Sequence, residues 1–188
     1  MLAQWNNVTT DLTRAIRSTG SRNIIVADGA QYGQEAYDWG CGTIPYANSA
    51  ILTHGAALQA TYGNLVFSLH VYSEWGGGTT GCSTQQLDRR LGSFIDRVHQ
   101  QSLPLLIGET GAPPQQSYEQ PWEKGQTAAT HTAFRIAPDK GVGVLPWHGD
   151  RGAGYLFTNS GNWSDVTGRT NLTWLGRYLW DYAHTTNP

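Results

Sequence analysis

Glu109 ends the apolar run Leu105-Leu-Ile-Gly-Glu-Thr-Gly111, where a carboxylate is costly to bury unless it has a partner or a task. His70 and Tyr72 close an earlier apolar run, Asn64–Tyr72, and residues two apart on a strand point to the same side. A tyrosine hydroxyl beside Glu109 would donate to the carboxylate, hold its orientation and favour its ionised form. Trp147 ends another such run, Gly141–Trp147, where its ring offers a flat apolar floor of the kind on which sugar rings stack. Gly108 and Gly111 flank Glu109 and would let a ligand come close to the backbone. Singly, each residue fits a structural role: an ion-paired or helix-capping Glu, a core Trp. Together, at consecutive strand ends, they favour a functional cleft over four separate structural roles.

The elements that must position these residues read clearly from periodicity. Residues 4–19 set Trp5, Val8, Leu12, Ala15 and Ile16 on one helical face, and Gly20 stops the helix. Strands are expected over Arg22–Asp28, Asn64–Tyr72, Leu103–Glu109 and Gly141–Trp147. Helices are expected over 47–61, 84–101, 125–136 and 172–184. In the third helix of the chain, Leu87, Leu91, Phe94, Ile95 and Val98 form a stripe opposite Asp88, Arg89, Arg90 and Arg97. The strand–loop–helix unit repeats at about 40 residues, which implies right-handed crossovers and a parallel α/β sheet. The long loops follow strand C-termini and carry the polar and aromatic residues, as in the active-site face of (β/α)8 barrels. A doubly wound sheet is the rival, but no G-x-G-x-x-G loop follows any strand. Eight units take roughly 250 residues, so four strands read as half a barrel: one partial catalytic domain over residues 1–188.

Composition narrows the function classes. Twelve Lys/Arg against 14 Asp/Glu leave a net charge of −2, which argues against a nucleic-acid or anionic-membrane partner. No apolar run approaches the ~18 residues of a membrane span. Eight Trp and nine Tyr in a chain that is only 14% charged suit a sugar-binding cleft. Cys41 and Cys82 lie in Gly-rich stretches without C-x-x-C spacing or convergent histidines, so no metal site or other cofactor is expected. They are either a disulfide or two free thiols. Three N-x-[ST] sequons, at Asn7, Asn162 and Asn171, are compatible with secretion, while Met1-Leu-Ala-Gln-Trp runs into a helix without a signal peptide.

The runs ending in His70-Val-Tyr72, Gly108-Glu109-Thr110-Gly111 and Leu145-Pro-Trp147 resemble strands six to eight of glycoside hydrolase family 5, most of all its endo-β-1,4-mannanases and related cellulases. Ile24-Ile-Val-Ala-Asp28-Gly-Ala-Gln-Tyr32-Gly-Gln34 is similar to the fifth strand and its loop, with Tyr32 where a Trp is common. The resemblance implies half of a TIM barrel, β5–β8 with their helices, from a secreted retaining hydrolase of β-linked polysaccharides. It implies Glu109 as nucleophile, with His70, Tyr72, Trp147 and Tyr32 contacting substrate. The family's acid/base Glu sits in an Asn-Glu-Pro motif, and no Asn-Glu occurs here. Asp28, Glu74 and Asp150 follow strand ends but lack that motif's context. The isolated chain is therefore expected to be inactive and to need an N-terminal half-barrel or a second copy. The rival expectations are a non-catalytic carbohydrate-binding half-barrel and a self-assembling one.

Overall fold

The computed structural model describes residues 1–35, 40–77, 81–112, 121–147 and 157–185. Helix α1 (Leu2–Ser18) precedes four strand–helix units: β1 (Ile25–Asp28) with α2 (Ala50–Tyr62), β2 (Leu65–Val71) with α3 (Thr84–Gln100), β3 (Leu105–Thr110) with α4 (Pro121–Ile136), and β4 (Gly143–Pro146) with α5 (Trp174–Thr185). All three strand pairings are parallel, in the order β1-β2-β3-β4. Because the order never reverses, right-handed crossovers keep the helices on one face, and the sheet has no switch point of the doubly wound kind. It is an arc of barrel.

Side chains alternate across the arc as the pleat requires. Leu65, Phe67, Leu69, Val71, Leu105 and Ile107 point outward and are buried against Leu52 and Leu58 of α2, Leu91, Phe94, Ile95 and Val98 of α3, and Ala133 of α4. The inward positions are a different surface. Val26 on β1 and Leu145 on β4 are 54% and 58% exposed, although a chain of this size has core enough to hide them. The stripe on α1 does not face the sheet either: Val8, Leu12 and Ile16 are exposed, and only Trp5 packs against the core.

The expected boundaries hold to within a few residues, with instructive exceptions. Helix α4 starts at Pro121, four residues before its expected start, because proline is suited to a first helical position whose N–H has no partner to lose. Strand β4 starts at Gly143, because Pro138–Lys140 form a 3-10 turn that Gly141 closes at φ 71°. The start of α3 is fixed by a reciprocal cap in which the Ser83 hydroxyl accepts from the Gln86 N–H and the Gln86 side chain accepts from the Ser83 N–H.

Arg90 is the clearest departure from the helical pattern. Expected on the solvent face of α3, it is instead 1% exposed, lies over the Trp75 ring and donates to the Gly40 and Gly42 carbonyls. Arg97, one face over, donates to the Ile44 carbonyl at 2.6 Å. Residues 40–44, between β1 and α2, lie against α3 and take up both guanidiniums, an event no helical periodicity records. Cys41 on that loop and Cys82 after β2 form a disulfide.

Candidate active site

The barrel register builds the site. Leu69 pairs with Ile107, yet His70 pairs with Glu109, so β3 skips a residue at Gly108. A Cβ on Gly108 would meet the Ser68 hydroxyl of the neighbouring strand at 2.1 Å. Gly108 thus makes room for a strand rather than for a ligand, and the slip sets Glu109 beside His70. Gly111 is buried, its carbonyl accepting from the Gln126 amide at 2.8 Å. At Gly108 the missing side chain answers a packing demand of the neighbouring strand. Thr110 anchors the strand end: its hydroxyl donates to the Val71 carbonyl at 2.8 Å and lies 3.2 Å from the Thr130 hydroxyl of α4.

Two polar side chains converge on Glu109, and a third backs one of them. The Tyr72 hydroxyl donates to Glu109 Oε2 at 3.3 Å, the contact expected from strand alternation. His70 Nδ1 lies 3.4 Å from the same oxygen, and His70 Nε2 lies 3.2 Å from Asp28 Oδ1. Both imidazole nitrogens therefore face carboxylates; a neutral ring can donate to only one of them, a protonated ring to both. Glu109 and His70 are half-buried while Asp28 stands open. Such an arrangement can hold a carboxylate in one orientation.

The remaining expected residues lie around this centre. Trp147 follows β4 directly, with its backbone N–H bonded to the Thr110 carbonyl at 2.7 Å and its ring exposed. Tyr32 is 90% exposed on the tight turn after β1. Glu74 accepts from its neighbour Ser73 at 3.0 Å and is not joined to the Glu109 cluster. Asp150 lies outside the described residues. Among the described residues no cluster of His, Cys, Asp and Glu is disposed to hold a metal ion.

Sequence reasoning missed Glu35. It is 0% exposed and sits at φ 58°, and its carboxylate accepts from Ala30 N at 2.5 Å, from Ile51 N at 3.2 Å and from the Ser49 hydroxyl. Burial pushes its carboxyl above the usual range, against the pull of those donors. Nothing in its local sequence marks it, since its donors lie on an adjacent turn and on the following helix.

A family model described as cellulase (glycosyl hydrolase family 5) matches residues 2–151. Beta-mannanase/endoglucanase A of Caldicellulosiruptor saccharolyticus is 29% identical over 107 residues, which are 57% of this chain and 7% of that protein. The catalytic domain of a mannanase from Streptomyces sp. SirexAA-E superposes with a TM-score of 0.61 at 24% identity, over 93% of this chain and 46% of that one. The mannohexaose complex of Thermomonospora fusca beta-mannanase gives 0.64 at 19% identity, over 93% and 47%. A GH5 cellulase from an Icelandic hot spring isolate gives 0.60 at 12%, over 98% and 51%. The chain thus spans about half the length of these solved structures.

Proposed function

The chain belongs to glycosyl hydrolase family 5, and from that premise we propose that it is the nucleophile-bearing half of a retaining endo-β-1,4-glycanase acting on β-mannan. The observation that carries this reading is the convergence of Tyr72 and His70 on one oxygen of Glu109. In retaining hydrolysis two carboxyl groups stand ~5–5.5 Å apart across the scissile bond. Glu109 attacks the anomeric carbon while the second, as acid, protonates the leaving oxygen. A covalent glycosyl-enzyme forms, and the second carboxylate then draws a proton from the water that hydrolyses it. Tyr72 and His70 hold Glu109 for the attack, and Trp147 and Tyr32 offer rings for the sugars on either side.

The second carboxyl comes from a complementary N-terminal half-barrel, since this chain has no Asn-Glu. Mannan is favoured over glucan by the mannanases among its structural neighbours, one of them solved with mannohexaose. The disulfide between Cys41 and Cys82 fits an oxidising, extracellular compartment. A second reading, pairing of two copies, is favoured by the exposed inward side chains Val26 and Leu145 and is tested at the scale of the whole molecule below.

The test joins the chain to an N-terminal half-barrel that supplies an acid/base glutamate and measures reducing sugar released from soluble mannan and from carboxymethylcellulose. Glu109→Ala is expected to lower turnover by at least about a thousand-fold with mannan binding largely retained, because stacking does not depend on the nucleophile. Equal turnover in the variant would move the chemistry elsewhere, to Glu74 or Asp150. A preference for carboxymethylcellulose would reassign the substrate to glucan.

A further inference from the structure

The turn that follows β1 is held in a demanding conformation. Gln31, Tyr32, Gly33 and Glu35 have φ of 52°, 55°, 79° and 58°, and three of the four are not glycine. Left-handed residues in such a run persist only where surrounding contacts over-determine them. Here the contacts radiate from Glu35. Its Oε1 accepts from Ala30 N at the start of the turn; its Oε2 accepts from Ile51 N in the first turn of α2 and from the Ser49 hydroxyl. The Ser49 oxygen in turn accepts from Leu52 N at 3.0 Å, so one carboxylate ties the turn to the capped end of α2. Gly29 leaves the space that this side chain fills: a Cβ there would lie 2.7 Å from Glu35 Cγ.

The other side of the same turn presses on the site. The Gly33 carbonyl accepts from His70 N at 2.8 Å, and a Cβ on Gly33 would come within 2.5–2.6 Å of three His70 ring atoms. The Gln34 carbonyl accepts from the Trp75 indole at 2.8 Å, which ties the turn to the loop beyond β2 as well. The turn is therefore a wedge, fixed by Glu35 behind and seated on the His70 imidazole in front. We infer that Glu35 is a positioning residue, which holds the Gly29–Glu35 turn against His70 and so sets the ring between Asp28 and Glu109. The inference rests on the reading of Glu109 as the reacting carboxylate, but its own test does not use activity.

The groups bonded to the Glu35 carboxylate all donate to it, a set that a carboxylate satisfies and an amide does not. In Glu35→Gln the amide nitrogen must face either Ala30 N–H or the Ser49 and Ile51 pair, donor against donor, and one side of the clamp opens. The experiment records ring-nitrogen NMR spectra of His70 in the full 188-residue chain, as wild type and as Glu35→Gln, with far-UV circular dichroism to verify folding. The expected result is a folded variant whose His70 ring-nitrogen resonances shift and whose pH dependence changes. Glu35→Asp, which keeps the charge but not the reach, is expected to recover the wild-type signature only in part. A folded Glu35→Gln with unchanged His70 resonances would overturn the inference and leave Glu35 as a cap of α2.

Should Glu35→Gln fail to fold, amide exchange of the wild type decides. The Ala30 and His70 amides, bound to the two ends of the wedge, must exchange with one opening free energy. A His70 amide much better protected than Ala30 would separate the turn from the ring and sink the idea. Failure here leaves the Glu109→Ala experiment untouched, and an active Glu109→Ala enzyme would overturn the mechanism without moving these spectra.

Discussion

At the scale of the residue, the site turns on how Glu109 is held. Its Oε2 takes the Tyr72 hydroxyl and faces His70, a placement suited to fixing the direction of the carboxylate. Tyr72→Phe, in the completed barrel, is accordingly expected to lower kcat by roughly ten-fold or more with little change in KM, because the lost bond matters most in the transition state. Trp147→Ala is expected to do the reverse, raising KM several-fold, since an exposed ring contributes about 0.5–1.5 kcal/mol of stacking. Steady-state kinetics on a soluble mannan separates the two. If Tyr72→Phe changed KM alone, its hydroxyl would be a sugar contact and not a support for Glu109.

At the scale of the element, two junctions hold the loops and helices around that site. The Cys41–Cys82 disulfide closes a separation of 41 residues, and the chain-entropy model gives such a link about 4 kcal/mol. Double replacement by serine is expected to lower the thermal midpoint by several degrees. The Arg90 contacts to Gly40 and Gly42 and the Arg97 contact to Ile44 then still tie the loop to α3. An unchanged midpoint would show that these arginine contacts suffice. Between α4 and α5, His131 stacks on Trp174 at 4.6 Å and bonds the Tyr178 hydroxyl. Burial, with the nearby Arg135 second, holds its pKa below the ordinary 6.5. The folded state therefore resists protonating His131 more than the unfolded chain does. The stability this confers is full above pH 6.5 and is lost as pH falls through the folded value. Midpoints measured from about pH 7 down to about pH 5 should fall more steeply for the wild type than for His131→Phe. Parallel profiles would assign the acid sensitivity to another group.

At the scale of the whole molecule, exposed apolar residues gather on two surfaces. Val26 and Leu145 lie on the concave face, at opposite edges of the sheet, and Val8, Leu12 and Ile16 lie along α1. Open strand edges beside apolar surface invite pairing. The chain alone is expected to self-associate in light scattering, to release no reducing sugar above background, and to become more monomeric with Val26→Lys and Leu145→Lys together. A compact monomer that hydrolyses mannan would overturn both the half-barrel reading and the need for a second carboxylate. By itself the sequence determined the strand–helix alternation, the parallel arc, the strand-end placement of His70, Tyr72, Glu109 and Trp147, and the alternation that points Tyr72 at Glu109. Those are properties of local periodicity, readable because pleats and helical turns repeat at fixed spacing. Only the tertiary structure decided that Gly108 yields to Ser68 and slips the register, that Arg90 turns under a loop fifty residues away in sequence, and that Glu35 is buried behind His70. These depend on which distant backbone donors and acceptors meet once the units pack, and a contact between units has no period along the chain.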